Sequence, residues 1–306
     1  MPLSESLVRE LRRALPEGRM LENEPMSAHS SFRIGGPARA FCLPEDEAEA
    51  ARLLVLLHGE GVRPVIVGSG TNLLVPDEGL DAVVLCTAAL GSVSAEGDGA
   101  LSAGSGCPMA RAASAAQRAA LSGLEFAHGI PGSVGGGVFM NAGAYGGEIK
   151  DVLVSARVLA PDGTAETVKA EELGLEYRRS ALEGSGRLVV SAVFRLEPGD
   201  GEEISARMRA FAERRRASQP LDLPSAGSTF KRPEGGYAAA MIDQAGLKGL
   251  SVGAAKVSEK HAGFVVNAGG ATYADVTALI DEVRRRVFER FGVTLEPEVR
   301  ILGPEG

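Results

Sequence analysis

Several short stretches of this chain hold side chains whose chemistry suits anions. Tyr177-Arg178-Arg179-Ser180 sets a basic pair behind a tyrosine, and Arg214-Arg215-Arg216 is a run of three guanidiniums. Ser225-Ala226-Gly227-Ser228-Thr229-Phe230-Lys231 reads first as a turn with a capping serine, and it ends on a cation. Glu296-Pro297-Glu298-Val299-Arg300 joins two carboxyls to an arginine and could equally be an edge strand. A local cluster of arginines can reverse the field inside one cleft even when the whole chain is acidic. Taken singly, the basic pair also fits solvated surface. The arginine run fits the exposed end of a helix, where cations suit the dipole.

Two glycine segments bear on the same question. The loop Gly68-Ser69-Gly70-Thr71-Asn72 follows an apolar run. Its glycines would let successive N–H groups form an anion-binding nest. Leu73 stands where a Rossmann fingerprint needs its third glycine, and the lysine of a Walker loop is missing. Alone, the loop also fits an ordinary strand-ending turn. The second segment is Gly129-Ile130-Pro131-Gly132-Ser133-Val134-Gly135-Gly136-Gly137, followed by Asn141-Ala142-Gly143-Ala144-Tyr145-Gly146-Gly147-Glu148. Its glycine content predicts neither helix nor strand, yet Ile130, Val134, Val138, Phe139 and Met140 do not belong in a solvated linker. Backbone packed against a large flat ligand, with glycines where side chains would clash, accounts for both features. No histidine or cysteine pair has metal-ligand spacing, so no metal site is expected. His261, within Lys260-His261-Ala262-Gly263-Phe264-Val265-Val266-Asn267, falls in an expected strand and has a structural role there.

The elements that must position these residues fit an ordinary globular chain. With 306 residues, 44% apolar and 24% charged, there is room for two domains with separate cores. The 40 glycines are about twice the usual share. A net charge of −8 argues against a general nucleic-acid binder. No apolar run approaches a membrane span, and the N-terminal residues lack a signal-peptide core, so a cytoplasmic protein is expected. Cys42, Cys86 and Cys107 are an odd number and read as reduced thiols.

Helix is expected over 45–58, over an alanine-rich stretch after Pro108, and over 205–216, 236–245 and 272–291. Pro108 reads as the first residue of its helix. Thr272 and Asp275 resemble a capping box, and Gly292 a C-terminal stop. Strands are expected at 62–67, 83–85, 152–159 and 188–196, with two more around Gly97-Asp98-Gly99. A linker over 197–201 then joins two α+β modules.

Taken in order, the motifs resemble those of the UDP-N-acetylenolpyruvoylglucosamine reductase family. The match opens at Ser31-Phe32-Arg33-Ile34-Gly35-Gly36 and runs through both glycine segments, Tyr-Arg-x-Ser and Gly-Ser-x-Phe-Lys. It closes at Leu295-Glu296-Pro297-Glu298-Val299-Arg300, so it spans nearly the whole chain. The resemblance implies an α+β fold in which a PCMH-type FAD-binding module of two α/β subdomains, 1–198, precedes a smaller α+β substrate-binding domain, 199–306. Residues 295–301 return to the active site. The short stretch after Tyr-Arg-Arg-Ser resembles the shorter branch of the family, without its tyrosine loop.

The family reaction reduces the enolpyruvyl ether of UDP-N-acetylglucosamine enolpyruvate to the lactyl ether of UDP-N-acetylmuramate, a peptidoglycan precursor. NADPH gives hydride to non-covalently held FAD, which passes it to the β-carbon. Negative charge then develops on the α-carbon and its carboxylate, which calls for cations beside the carboxylate and an acid beside the carbon. The resemblance gives Arg178 the carboxylate, Glu298 the acidic partner role with Glu296 its nearest rival, and Ser228 the proton transfer. A serine is a poor acid in water, so that role depends on its being held against the developing carbanion. Cofactor-binding residues carried over are Gly68, Gly70, Thr71, Asn72, Gly132, Ser133, Gly135 and Asn141. Substrate-binding ones are Tyr177, Arg214, Arg215, Lys231 and Tyr237, with Arg232 at a place where many relatives carry asparagine. Two other readings fit part of this pattern. Another flavin oxidoreductase would explain the glycine loops alone, and a nucleotide-sugar-binding protein need not be yellow.

Overall fold

Side-chain caps fix where the main helices begin in the computed structural model, which describes residues 3–306. Ser4 accepts from the Leu7 N–H at 3.1 Å and starts the helix Glu5–Ala14. Asp46 accepts from Glu49 N–H at 2.8 Å and starts Glu47–Gly59. Thr272 and Asp275 form the expected capping box ahead of Tyr273–Phe291, and Gly292, at φ 68°, ends that helix in the left-handed region.

The chain folds into two units, each assembled from separate segments. The first takes the described residues through Asn23, Arg39–Ser69 and Ala82–Arg215; the second takes Glu24–Ala38, Gly70–Asp81 and Arg216–Gly306. Within the first, a four-stranded sheet runs in the order Met20–Pro25, Pro37–Cys42, Leu80–Cys86, Val65–Val67, the last two parallel. Helices Glu5–Ala14 and Glu47–Gly59 pack on it through Leu7, Leu11, Leu53 and Leu57 against Val83 and Leu85. An antiparallel five-stranded sheet follows, in the order Ala165–Lys169, Leu153–Leu159, Leu188–Arg195, Ala100–Gly104, Val93–Ala95. Its core joins Leu101 and Phe194 to Ala112, Ala113 and Ala116 of the helix Met109–Arg118. Alanines on that face let the helix backbone lie close to its neighbours, which is why this stretch is alanine-rich.

In the second unit an antiparallel sheet runs Ser225–Ser228, Phe264–Asn267, Ala255–Val257, Ser251–Val252. The helix Tyr273–Phe291 turns Val276, Leu279, Ile280, Val283 and Val287 into its core. Phe32, Ile34 and Leu74 from the early segments enter the same core. Burying such side chains is worth about 1.5–3 kcal/mol each, and the Asn267 amide fixes the entry by donating to the Phe32 carbonyl at 3.1 Å.

The compact units therefore do not coincide with a single cut at 198/199. The stretch 197–201 is short strand and helix start: Glu197–Pro198 pairs with Leu121–Ser122, and Gly201 opens the helix Gly201–Ser218. Asp200 starts it four residues before 205 by accepting from the N–H groups of Glu202 and Glu203, both at 2.9 Å. Ile204 and Met208 then join the core of the first unit. Three smaller differences have local causes. Pro108 is the residue before its helix rather than the first within it. The strand after His261 begins only at Phe264, because the Phe264 N–H turns back to the His261 carbonyl at 3.0 Å. Most telling, Val134–Phe139 is a helix despite its three glycines. Each glycine costs about 1 kcal/mol against alanine in a helix. Val134 and Val138, both fully buried, offset that cost, and the glycines allow backbone contacts that side chains would block.

Candidate active site

In the first unit the second glycine segment is threaded under neighbouring backbone. The Val134 N–H donates to Cys107 O and the Gly135 N–H to Ser105 O, both at 2.8 Å, while Met109 N–H reaches Gly132 O at 2.9 Å. A Cβ on Gly135 would lie 2.8 Å from that of Ser105, and one on Gly137 would lie 2.9 Å from the Met109 sulfur. Across from them, a Cβ on Gly68 would fall 2.2 Å from Ser133 Oγ. Ser105 and Ser133 are 0% and 2% exposed, and neither hydroxyl has a hydrogen-bond partner among the described residues. His128 Nδ1, in the turn just before this segment, is likewise buried without one. Buried hydroxyls seldom stay unpaired, and two such hydroxyls beside close-packed glycine backbone suit the polar groups of a dinucleotide cofactor. The residues present thus fit FAD. Ser105 was not among the expected cofactor contacts, although Gly104-Ser105-Gly106 repeats the Gly-Ser-Gly pattern of Gly68-Ser69-Gly70.

Asn141 is fully buried, and its amide is occupied within the protein. It donates to Glu148 Oε2 at 2.8 Å and Glu176 O at 3.1 Å, and accepts from the Lys150 N–H at 2.9 Å. These bonds tie it to the turn that carries Arg178. That turn closes by reciprocal backbone bonds between Glu176 and Arg179, of 3.1 and 3.3 Å. Ser180 Oγ anchors it by donating to Phe139 O at 2.7 Å. Arg178 itself has φ 55°, and its guanidinium donates to Gly143 O at 3.3 Å while lying 5.0 Å over the Tyr177 ring. Glu148 is held below the usual carboxylate range chiefly by its bond from Lys150, with Asn141 and the charge of Arg178 adding to it.

The helix Gly201–Ser218 docks here through residues four apart. Arg207 donates to the Glu125 carboxylate at 2.7 Å, and Phe211 stacks on Tyr145 with centroids 4.6 Å apart and planes 3° from parallel. Burial would raise the Glu125 carboxyl, but the Arg207 guanidinium and the Gly123 N–H together hold it low. One turn further, Arg215 lies beside Gly129 and Tyr145 with its guanidinium half-buried, and burial pushes its pKa down. It has no ion pair or hydrogen bond among the described residues, whereas Arg214 points to solvent. A desolvated, unpaired guanidinium is prepared for an anion. Of the two expected arginines, Arg215 is the one so placed.

The expected residues Gly70, Asn72, Ser228 and Glu298 belong to the second unit. Gly70 has φ 62°, and a Cβ there would meet the His29 carbonyl. The Ser31 N–H donates to Gly70 O at 3.1 Å, and Ser31 Oγ donates to Ser225 O at 2.7 Å. Ser228 ends that strand exposed, opposite Phe264. The Glu298 N–H donates to Thr229 O at 2.8 Å, its carbonyl accepts from Asn72 Nδ2 at 3.0 Å, and the Arg300 N–H returns to Asn72 O at 3.0 Å. Arg300–Ile301 pairs in parallel with Leu73–Leu74. Glu296 is exposed and pairs with Lys231 at 3.5 Å, while Glu298 is half-buried, which separates the two carboxyls. The Arg232 guanidinium lies 4.4 Å over the ring of Tyr237, itself 61% exposed. His261 Nδ1 accepts from the Gly263 N–H at 3.2 Å, and burial lowers its pKa.

Among the described residues no group of three or more His, Cys, Asp or Glu could hold a metal ion, and no helix is long and apolar enough to cross a membrane. Burial raises all three thiols, Cys42 to about 12, so none is a thiolate near neutral pH.

Residues 37–169 match the model of an FAD binding domain, which makes the class a flavoprotein, and the glycine-bared backbone described above fits that cofactor. Residues 219–302 match the C-terminal domain of UDP-N-acetylenolpyruvoylglucosamine reductase. The enzyme of that name from Agathobacter rectalis is 46% identical over 313 residues, covering 98% of this chain and 99% of its own. That from Caldanaerobacter subterraneus subsp. tengcongensis is 45% identical over 301 residues, covering 98% and 99%. The crystal structure of the Thermus caldophilus reductase, 35% identical, covers 93% of this chain and 98% of its own with a TM-score of 0.79. The chain belongs to the UDP-N-acetylenolpyruvoylglucosamine reductase family.

One consequence concerns the cofactor. The purified protein is expected to be yellow and to release its flavin on denaturation. Gly135→Val should lower flavin content at least tenfold, because the new side chain must displace Ser105 backbone and side chain together. Absorbance near the flavin maximum in the supernatant measures both, and a colourless wild-type protein or a fully loaded variant contradicts them.

Proposed function

We propose that the protein reduces UDP-N-acetylglucosamine enolpyruvate to UDP-N-acetylmuramate at the expense of NADPH, in the cytoplasm, as a step of peptidoglycan precursor synthesis. The observation that carries this reading is the junction in the second unit, where Asn72 of the first glycine loop and Thr229, the residue after Ser228, both hydrogen-bond the backbone of Glu298. Bound FAD would supply the hydride relay from NADPH to the β-carbon. The protein's own residues would do the rest. Arg178 neutralises the substrate carboxylate as charge develops on it. Ser228 gives its proton to the α-carbon, and Glu298 is the acidic partner that supports that transfer. Arg215 and Lys231 bind the diphosphate of the UDP group, Tyr237 and Tyr177 add contact area, and Arg232 stacked on Tyr237 brings another cation where asparagine is common.

Flavin residues in this reading are Gly68, Gly70, Thr71, Gly132, Ser133 and Gly135, with Ser105 added. With no second dinucleotide fold among the described residues, NADPH and the UDP-sugar should take turns at the flavin. Steady-state rates are therefore expected to give parallel double-reciprocal lines. Anaerobic NADPH should bleach the flavin, and the enolpyruvyl substrate should restore it. Intersecting lines at all concentrations contradict the alternation, and a bleached flavin that the substrate leaves bleached contradicts the function.

A further inference from the structure

We propose that Asn72 is a positioning residue for Glu298, coupling the first glycine loop to the proton-transfer apparatus; this rests on the function proposed above. Two hydrogen bonds hold the Glu298 backbone. It is gripped from both sides, by Thr229 O accepting from its N–H at 2.8 Å and by Asn72 Nδ2 donating to its carbonyl at 3.0 Å. Asn72 is gripped in turn, since its own carbonyl accepts from the Arg300 N–H at 3.0 Å. The pairing Arg300 to Leu73 and Ile301 to Leu74 extends the contact, and Leu302 N–H adds a bond to Leu74 O at 3.0 Å. Leu74, Leu295 and Val299 are buried in the same core, so both strands are anchored beyond the junction.

Between those anchors the Asn72 amide is the side-chain bond that fixes the peptide following the Glu298 Cα, and with it the direction of the carboxyl. Thr229 is the residue after Ser228, so the same junction ties the Glu298 backbone to the residue beside the serine. A side-chain amide suits this position because it supplies an N–H donor at a distance that a backbone group cannot span. Aspartate has the same shape but offers only acceptors to the Glu298 carbonyl. Glycine-loop contacts with the cofactor would use the backbone N–H groups and leave this amide free for the second task.

The test separates positioning from cofactor binding. Asn72→Ala and Asn72→Asp, loaded with FAD, are compared with wild type by anaerobic stopped flow in each half-reaction. Reduction by NADPH should stay within about threefold of wild type. Reoxidation by UDP-N-acetylglucosamine enolpyruvate should slow by about 10–10²-fold, the scale of a displacement of about 1 Å in a reacting group. In a Glu298→Gln background the Asn72 change should add little, because its effect runs through that carboxyl. Full additivity with Glu298→Gln, or equal slowing of both half-reactions, overturns the positioning role. A wild-type flavin that NADPH reduces but the enolpyruvyl substrate does not reoxidise overturns the function, and the positioning role with it. Should Asn72→Ala not fold, Asn72→Asp keeps the shape and carries the same comparison.

Discussion

Ser228→Ala is expected to bind FAD normally, to be reduced by NADPH at close to the wild-type rate, and to stall on reoxidation. A proton donor to the α-carbon acts only after hydride has left the cofactor, so only the second half-reaction feels its loss. Removing a positioned general acid costs about 10²–10⁴ in rate, and that is the slowing expected with the enolpyruvyl substrate. The structure favours a clean experiment. Ser228 ends its strand exposed, and the neighbouring Thr229 carries the buried hydrogen bonds, with Oγ1 accepting from Val265 N–H at 2.9 Å and its N–H reaching Gly263 O at 2.8 Å. A hydroxyl-to-methyl change at Ser228 therefore leaves the sheet intact. Stopped-flow traces in which both half-reactions slow equally would assign Ser228 to shaping the site, and its role as donor would fall.

Arg178→Ala should slow the same oxidative step by about 10²–10³, the usual loss on removing one group that stabilises a developing anion. Alanine at φ 55° carries no more backbone strain than the arginine already does. The turn is also held without the side chain, by Glu176, Arg179 and Ser180. Arg178→Lys should recover little, because a point charge cannot reproduce the planar fork that meets a carboxylate. A rise in KM for the UDP-sugar alongside the fall in kcat would report ground-state contact with the carboxylate. Reoxidation of Arg178→Ala at the wild-type rate would exclude it from the reaction. Glu148 bears on the comparison, since losing the nearby guanidinium relaxes its carboxyl upward, a change confined to acid pH.

Local signals were enough to place the ends of two helices, Glu47–Gly59 and Tyr273–Phe291. Asp46, Thr272 with Asp275 and Gly292 act where they stand, because a cap needs only neighbours three or four residues away. The same holds for the strands around Gly97-Asp98-Gly99, where the turn carries Asp98 at φ 58°. Family membership was legible too, because the motifs recur in order along nearly the whole chain.

What the sequence by itself determined was therefore the capped helices, several of the strands and, through the order of its motifs, the family. Only the tertiary structure decided how they group. It took Phe32, Ile34 and Leu74 into the core of the second unit and the helix from Gly201 into the first, against the simple division at one linker. It made a helix of Val134–Phe139, because contacts with Ser105 and Met109, remote in sequence, outweigh the helix propensity of glycine. It also distinguished Glu298 from Glu296, and Arg215 from Arg214, by burial and by partners. The physical reason is common to all four. Propensity and capping act over a few residues, whereas burial and pairing depend on chain segments that meet only after folding.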